Sequence, residues 1–146
     1  VLLVNMWTDL NESFDANLVG QCGINCGTCV AFFGYTMAGK KRMHPCMGCR
    51  TRKSLCAFIK KGCNRIAGKN PVEFCFECSD FACENLVRID TVYRTRFDMS
   101  LIENLNYIKE KGMDAFLEAE KEKWTCPDCG EVISVHTKRC YRCNPP

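Results

Sequence analysis

The sequence predicts a small metal-dominated α+β fold with a Cys-rich zinc-binding N-terminal module, a helical middle and a C-terminal zinc-ribbon β-hairpin. Three observations predict this class. The chain has 146 residues, of which 14 are cysteine; most of the cysteines form C-x-x-C pairs; and the stretch 84–123 has no cysteine and repeats apolar residues at helical spacing. They divide the chain into an N-terminal arm at 1–20, a Cys-rich metal-binding domain at 21–123 and a zinc ribbon at 124–146.

The C-x-x-C pairs favour metal ligation over disulfide bonding. The two thiols of such a pair are too close in sequence to link distant parts of the chain, whereas one tight turn presents both thiolates to a single ion. Metal-bound thiolates, together with a start (VLLVNMW) that lacks the features of a secretory signal, predict a reducing cytoplasm. The pairs are Cys26/Cys29, Cys46/Cys49, Cys75/Cys78, Cys126/Cys129 and Cys140/Cys143.

Length and composition exclude several classes of protein. The chain is too short for a TIM barrel and tight for a doubly wound dinucleotide-binding fold. With 25% charged and 47% apolar residues it is globular rather than disordered. Because no apolar run approaches the roughly 20 residues of a transmembrane helix, we expect no membrane association.

The segment 84–123 carries the signals of amphipathic helices. Apolar residues from Leu86 to Tyr93 recur at helical spacing. Ser100 and Glu103 form the pattern of a capping box at the start of a second helix, and Gly112 is placed to end it. We expect Asp114 to cap a third, short helix that continues to about residue 123.

The C-terminal cysteines form the pattern C-x2-C-x10-C-x2-C, typical of a structural zinc site with four thiolate ligands. We expect Gly130 to adopt the positive φ that often follows such a turn, and residues 131–135 to form a short strand of a β-hairpin. His136 is an alternative ligand, although an ordinary loop histidine is the simpler interpretation. The predicted ligands are Cys126, Cys129, Cys140 and Cys143.

Ten further cysteines lie in the region 21–83. Cys29 and Cys46 are separated by sixteen residues, a spacing that suits a zinc site built from two C-x-x-C pairs. Ten thiols suffice for two four-cysteine sites with two left over, so the whole chain is expected to bind about two to three zinc ions. Spacing does not decide which eight are ligands, and an iron–sulfur cluster is the alternative occupant. The candidates are Cys22, Cys26, Cys29, Cys46, Cys49, Cys56, Cys63, Cys75, Cys78 and Cys83.

Several of these motifs resemble an uncharacterised prokaryotic Cys-rich family, domain of unknown function 3795. The resemblance covers roughly residues 21–143 and is carried by three cysteine motifs, by helical residues between Tyr93 and Gly112, and by Trp124 ahead of Cys126-Pro-Asp-Cys129-Gly130. It implies a metal-binding protein whose activity is unknown. The three motifs are Cys22-Gly-Ile-Asn-Cys26-Gly-Thr-Cys29, Cys46-Met-Gly-Cys49-Arg50 and Cys75-Phe-Glu-Cys78-Ser-Asp-Phe-Ala-Cys83.

The residues favour a non-catalytic zinc protein that acts as an interaction or accessory module, with a protein as its expected partner. A site closed by four cysteines has no open position for a substrate. Two alternatives remain at this point. One is an iron–sulfur electron-transfer or cluster-carrying protein. The other is a nucleic-acid-binding zinc protein, because residues 21–83 hold ten Lys and Arg against three acids, with aromatic residues interleaved.

Overall fold

A computed structural model of the chain describes residues 13–48, 50 and 72–144. In this described part three α-helices follow one another: α1 (Glu84–Arg96), α2 (Leu101–Lys111) and α3 (Met113–Trp124). Before them lie three single 3-10 turns, at Ala16–Leu18, Cys26–Thr28 and Cys75–Glu77. Three predicted ligands, Cys49, Cys56 and Cys63, lie outside the described residues, as do residues 1–12 of the predicted arm.

The helical character predicted for 84–123 is confirmed, and its boundaries follow from local chemistry. The thiol of Cys83 accepts a hydrogen bond from the Leu86 amide at the start of α1, with the sulfur and nitrogen 3.5 Å apart. The Ser100 hydroxyl accepts from the Glu103 amide at 3.1 Å, as the predicted capping box requires. Gly112, with φ +90°, ends α2 and at once begins α3. The prediction that Asp114 caps α3 was therefore wrong, since Asp114 lies in its first turn.

A buried carboxylate joins α1 to α2. Asp90 is only 2% exposed and accepts hydrogen bonds from the Ser100 hydroxyl at 2.8 Å and from the Ile102 amide at 3.1 Å. Its second oxygen forms an ion pair with Arg94 at 3.0 Å. These partners offset the cost of burying the charge, and the carboxylate lies at the positive end of the α2 dipole.

The N-terminal segment packs against α2 through glycine. Gly23 has φ +91°, and a Cβ atom placed on it would lie 2.6 Å from the Leu101 carbonyl oxygen. Asn104 of α2 donates from its side chain to the Gly23 carbonyl at 3.0 Å. Only a residue without a side chain permits this approach, so Gly23 fixes how the first cysteine motif sits on the helices.

One core connects the start of the described chain, the helices and the C-terminal segment. Within it Leu101, Leu105 and Val135 are almost completely inaccessible, and a smaller cluster holds Val19, Ile108 and Phe116. The buried apolar members of the larger core otherwise include Phe14, Leu18, Ile24, Leu86, Ile89, Tyr93, Met99, Trp124 and Val132. No helix among the described residues is both long enough and apolar enough to cross a bilayer.

Candidate metal centre

Four sulfur atoms converge at the C-terminal end of the chain. The Sγ atoms of Cys126, Cys129, Cys140 and Cys143 all lie within 4.8 Å of one another. The Sγ atoms of Cys126 and Cys143 are 3.9 Å apart, and those of Cys129 and Cys140 are 3.4 Å apart. The sequence prediction of these four residues as one group is thus matched by their arrangement in space.

The two C-x-x-C segments are built in the same way. The Gly130 amide donates to the Cys126 carbonyl at 2.9 Å, and the Asn144 amide donates to the Cys140 carbonyl at 2.8 Å. Each bond spans four residues and folds one pair of thiols onto one side of a turn. Gly130 has φ +80°, as expected of the residue that leaves the first turn. The two turns face each other and bring four thiols to one point.

The spacing of the sulfurs fits a metal ion and excludes disulfides. A tetrahedral zinc site with Zn–S bonds of about 2.3 Å places its sulfurs about 3.8 Å apart. The two separations given above bracket this value. A disulfide requires about 2.05 Å, and none of the eleven described cysteines is in one. The residues therefore suit an ion that prefers four soft sulfur ligands.

The thiols influence one another's ionisation. Burial raises the pKa of Cys140, but backbone amides of Cys143 and Arg142 and the neighbouring thiols stabilise its thiolate, so that the pKa falls to about 7. The surrounding thiols of Cys129, Cys126 and Cys140 raise the pKa of Cys143 to about 12. A divalent cation offsets the repulsion between neighbouring thiolates because it stabilises all four together. Its binding therefore releases the thiol protons.

The backbone between the two turns forms single bridges in place of the expected hairpin strands. Thr125 pairs with Val132, and Ile133 pairs with Cys140, each as an isolated antiparallel bridge. The bond from the Ile133 amide to the Trp124 carbonyl, at 2.7 Å, is part of the first bridge and ties the segment to the end of α3. The described residues thus show a compact loop with little strand, and the β-hairpin of a zinc ribbon is not part of what they show.

His136 joins this segment to the first cysteine motif. The Val30 amide donates to His136 Nδ1 at 3.2 Å, so the neutral ring carries its proton on Nε2, which lies 3.0 Å from the Tyr93 hydroxyl. Burial, and then the charge of Lys138, lowers the pKa of His136 from 6.5 to about 4. Since both ring nitrogens have protein partners, His136 acts as a connector and is not among the four clustered ligands.

A second hydrogen bond lies beside the one between Val30 and His136. The Val135 amide donates to the Thr28 carbonyl at 2.8 Å. Residues 28 and 30 are therefore both held by 135 and 136, and the residue between them is Cys29. This joint was missed in the sequence because it spans 106 residues and involves a histidine that is unremarkable in its local context.

A buried glutamate supports the same cysteine motif from α3. Glu120 is 5% exposed and accepts from the Asn25 side chain at 3.5 Å, while Asn25 accepts from the Gly27 amide at 3.0 Å. Burial raises the pKa of Glu120, and the hydrogen bond from Asn25 partly opposes this. The chain Glu120–Asn25–Gly27 positions the turn between Cys26 and Cys29.

Two of the N-terminal motifs have nearly the same backbone. The Cys29 amide donates to the Cys26 carbonyl, and the Cys78 amide donates to the Cys75 carbonyl, both at 3.0 Å. Cys29 has φ −75° and ψ 138°, and Cys78 has φ −75° and ψ 136°. An aromatic residue follows three positions later in each, Phe32 and Phe81, and its amide bonds back to the second cysteine. The chain thus repeats one C-x-x-C turn in two places.

Backbone bonds bring the N-terminal motifs near one another. The Cys46 amide donates to the Ala31 carbonyl, and the Cys75 amide donates to the Gln21 carbonyl, both at 2.8 Å. In the part of the chain that the structure describes, the four C-terminal cysteines are the set of three or more ligand atoms that lie within metal-binding reach of one another, and Cys49, the second thiol of the Cys46 pair, lies outside that part. A second or third site therefore stays a prediction, and the described N-terminal candidates are Cys22, Cys26, Cys29, Cys46, Cys75, Cys78 and Cys83.

Comparison of the chain with models of known protein families, with curated proteins and with solved structures finds no match.

Proposed function

We propose that the protein is a non-catalytic zinc protein, in which the C-terminal cysteines hold a structural ion in a zinc-ribbon-like unit and the remaining surface serves as an interaction or accessory module. The observation that carries the proposal is the convergence of the Sγ atoms of Cys126, Cys129, Cys140 and Cys143 within 4.8 Å. Four sulfur ligands complete a tetrahedral coordination sphere and leave no position for a substrate or an activated water.

The role proposed for the ion is to attach the C-terminal segment to the core. The segment has isolated bridges and few apolar residues of its own, and its buried Val132 and Val135 pack among residues from the helices and from the N-terminal segment. A unit of this size cannot bury enough apolar surface to fold by itself, so metal binding supplies much of its folding free energy.

The proposal also keeps the resemblance to domain of unknown function 3795 and the expectation of further metal in the N-terminal region. The repeated turns at Cys26–Cys29 and Cys75–Cys78 support that expectation, because each presents two thiols from one turn. The alternative to be tested is that the protein binds iron in place of zinc.

The test is metal analysis combined with an absorption spectrum on protein purified without oxygen. We expect a colourless protein that contains zinc. Cys126→Ser and Cys143→Ser should each lose one metal equivalent per chain, since three sulfurs bind far more weakly than four. Asp128→Asn, an exposed change within the same turn, is the matched control and should keep the full metal content.

Unchanged stoichiometry in both cysteine variants would refute the assignment of this centre. A coloured protein that contains iron, with visible absorption lost in Cys126→Ser, would replace zinc by iron at the C-terminal site. Colour that survives in Cys126→Ser would instead place a cluster in the N-terminal region and support the iron–sulfur alternative.

A further inference from the structure

An aromatic pair connects the N-terminal cysteine region to the metal centre at the surface. The rings of Tyr35 and Tyr141 are stacked, with centroids 4.8 Å apart and planes 20° from parallel. Phe33 contacts Tyr141 from another direction, with centroids 5.4 Å apart. Both tyrosines are partly exposed to solvent. We call Tyr35 and Tyr141 the tyrosine platform.

The platform is bordered by positive charge from a short hairpin-like loop. Tyr35 pairs with Lys41 in an antiparallel bridge, so their side chains leave the backbone on the same side. The Thr36 amide donates to the Lys40 carbonyl at 2.8 Å, and the Arg42 amide donates to the Gly34 carbonyl at 2.7 Å. These bonds hold Lys41 on the face of Tyr35, with Lys40 and Arg42 as its neighbours in the returning segment.

The two segments that carry the platform contain basic residues and no acidic ones. Residues 30–48 contain no acid, and neither do residues 137–144, on both sides of Tyr141. In the C-terminal stretch Arg142 is paired with Glu131 at 3.2 Å, and Lys138 lies over the Trp124 ring at 4.4 Å. The other cations of these two segments take no part in the four ion pairs between described residues. They are Lys40, Lys41, Arg42 and Arg139.

We propose that this face binds single-stranded nucleic acid, with bases stacked on the tyrosine platform and phosphates bound by the adjoining cations. Aromatic rings that extend a base stack, flanked by unpaired Lys and Arg, are the combination that single-strand-binding proteins use. A peptide of Asp and Glu would satisfy the cations but has no aromatic ring to stack on the platform. Exposed Met37, at the turn of the loop, adds apolar contact surface for a base. The proposal rests on the proposed metal centre, because Tyr141 lies between Cys140 and Cys143.

The experiment measures fluorescence anisotropy of labelled 20-nucleotide oligouridylate and oligothymidylate titrated with the metal-loaded full chain. A duplex of equal length and polyglutamate serve as competitors. We expect both labelled single strands to bind. The duplex and polyglutamate should displace them less effectively than the same strands without label do. A tighter oligouridylate complex identifies RNA as the natural ligand, and a tighter oligothymidylate complex identifies DNA.

Two kinds of variant separate stacking from charge. Tyr35→Ala should weaken binding about tenfold without altering its salt dependence, while Tyr35→Phe, which keeps the ring, should bind like the unaltered protein. Lys40→Gln with Lys41→Gln should lower the slope of log affinity against log salt by about 1.4, because each phosphate contact contributes about 0.7. Lys109→Gln with Lys111→Gln, on exposed positions of α2, removes the same charge and should leave that slope within about 0.3 of its original value.

Metal content is measured on every sample. A protein that holds its C-terminal metal yet binds neither oligonucleotide overturns this inference and leaves the proposed function intact. Equal effects of the two lysine pairs, or tighter binding of polyglutamate than of either strand, also overturn it. A protein without C-terminal metal refutes the proposed function first, whatever its binding.

Discussion

The C-terminal and N-terminal cysteines of this chain use the same C-x-x-C motif, yet only the C-terminal thiols come together as a group in the described structure. At 126–143 two turns are joined by ten residues and face each other, so four sulfurs meet. At 22–83 the turns are joined by longer segments and are held by backbone bonds to residues such as Ala31 and Gln21. At the C-terminal end it is the second turn, opposed to the first, that turns two C-x-x-C pairs into one group of four thiols.

The largest expected difference between the regions appears when metal is removed by a chelator. In the C-terminal segment the amides of Cys126, Ile133 and Ser134 form backbone bonds that depend on the closed loop. Their hydrogen exchange should accelerate at least about a hundredfold in the stripped protein, because the loop loses the free energy that metal binding supplies. The amide of Leu105, inside α2, should change less than about threefold.

Hydrogen exchange followed by mass spectrometry or NMR makes this measurement, and readdition of zinc should restore the slow rates. If the C-terminal amides keep their protection without metal, the loop is held by packing alone. The contrast between the two regions would then not arise from metal.

A pair of glycine variants tests how each region is held on the core. Gly23 and Gly130 both have positive φ, but a Cβ on Gly23 would lie 2.6 Å from the Leu101 carbonyl oxygen, whereas nothing lies within 4 Å of one on Gly130. Gly23→Ala should reduce the free energy of unfolding by about 3 kcal/mol or more, from the clash and the backbone strain together. Gly130→Ala should cost only about 1 kcal/mol.

Denaturant unfolding of the metal-loaded variants gives both values. Equal losses would mean that the approach of Gly23 to α2 is not what positions the first cysteine motif. The N-terminal region would then depend on other contacts than those along α2.

The smallest expected effect concerns the joint between the regions. His136 has its pKa lowered to about 4 by burial and by Lys138, so the unfolded chain binds the proton more tightly than the folded one. The contribution of His136 to the free energy of unfolding is fully present above its unfolded pKa of about 6.5 and is lost as the pH falls below that value. Between pH 7.5 and 5.5 the loss from this residue should be about 1 kcal/mol.

Unfolding curves at the two pH values for the unaltered protein and for His136→Asn isolate this contribution. The variant should lack the additional loss, since its side chain does not titrate, while His44→Asn, at the exposed second histidine, should retain it. Metal content at both pH values controls for protonation of the thiolates. Identical pH dependence in all three proteins would show that His136 does not couple the regions.

Features determined by neighbouring residues were predictable from the sequence. Ser100 caps α2 and Gly112 ends it, because a cap and a left-handed turn are decided within a few residues. The start of α3 was misplaced by two residues because the same glycine closes one helix and opens the next. The grouping of the four C-terminal cysteines was also predictable, since two turns with a ten-residue connection have little freedom in how they meet.

Features that depend on distant residues were not predictable in this way. Asp90 looks like a surface residue of an amphipathic helix, yet it is buried against the start of α2. His136 looks like a loop residue, yet it bonds to Val30 across 106 positions. The alternating residues 131–135 suggested a strand, but strand pairing requires a partner segment, and only single bridges form.

The bonds of Val30 with His136 and of Thr28 with Val135 have a consequence for biosynthesis. Because a chain is made from its N-terminus, residues 28–30 leave the ribosome long before their partners exist. At about 5–20 residues per second, the roughly 100 intervening residues take about 5–20 s to make. Through that interval the backbone on both sides of Cys29 lacks its final partners. Docking of the C-terminal loop is therefore a late step of assembly, completed only when the last cysteines have been added.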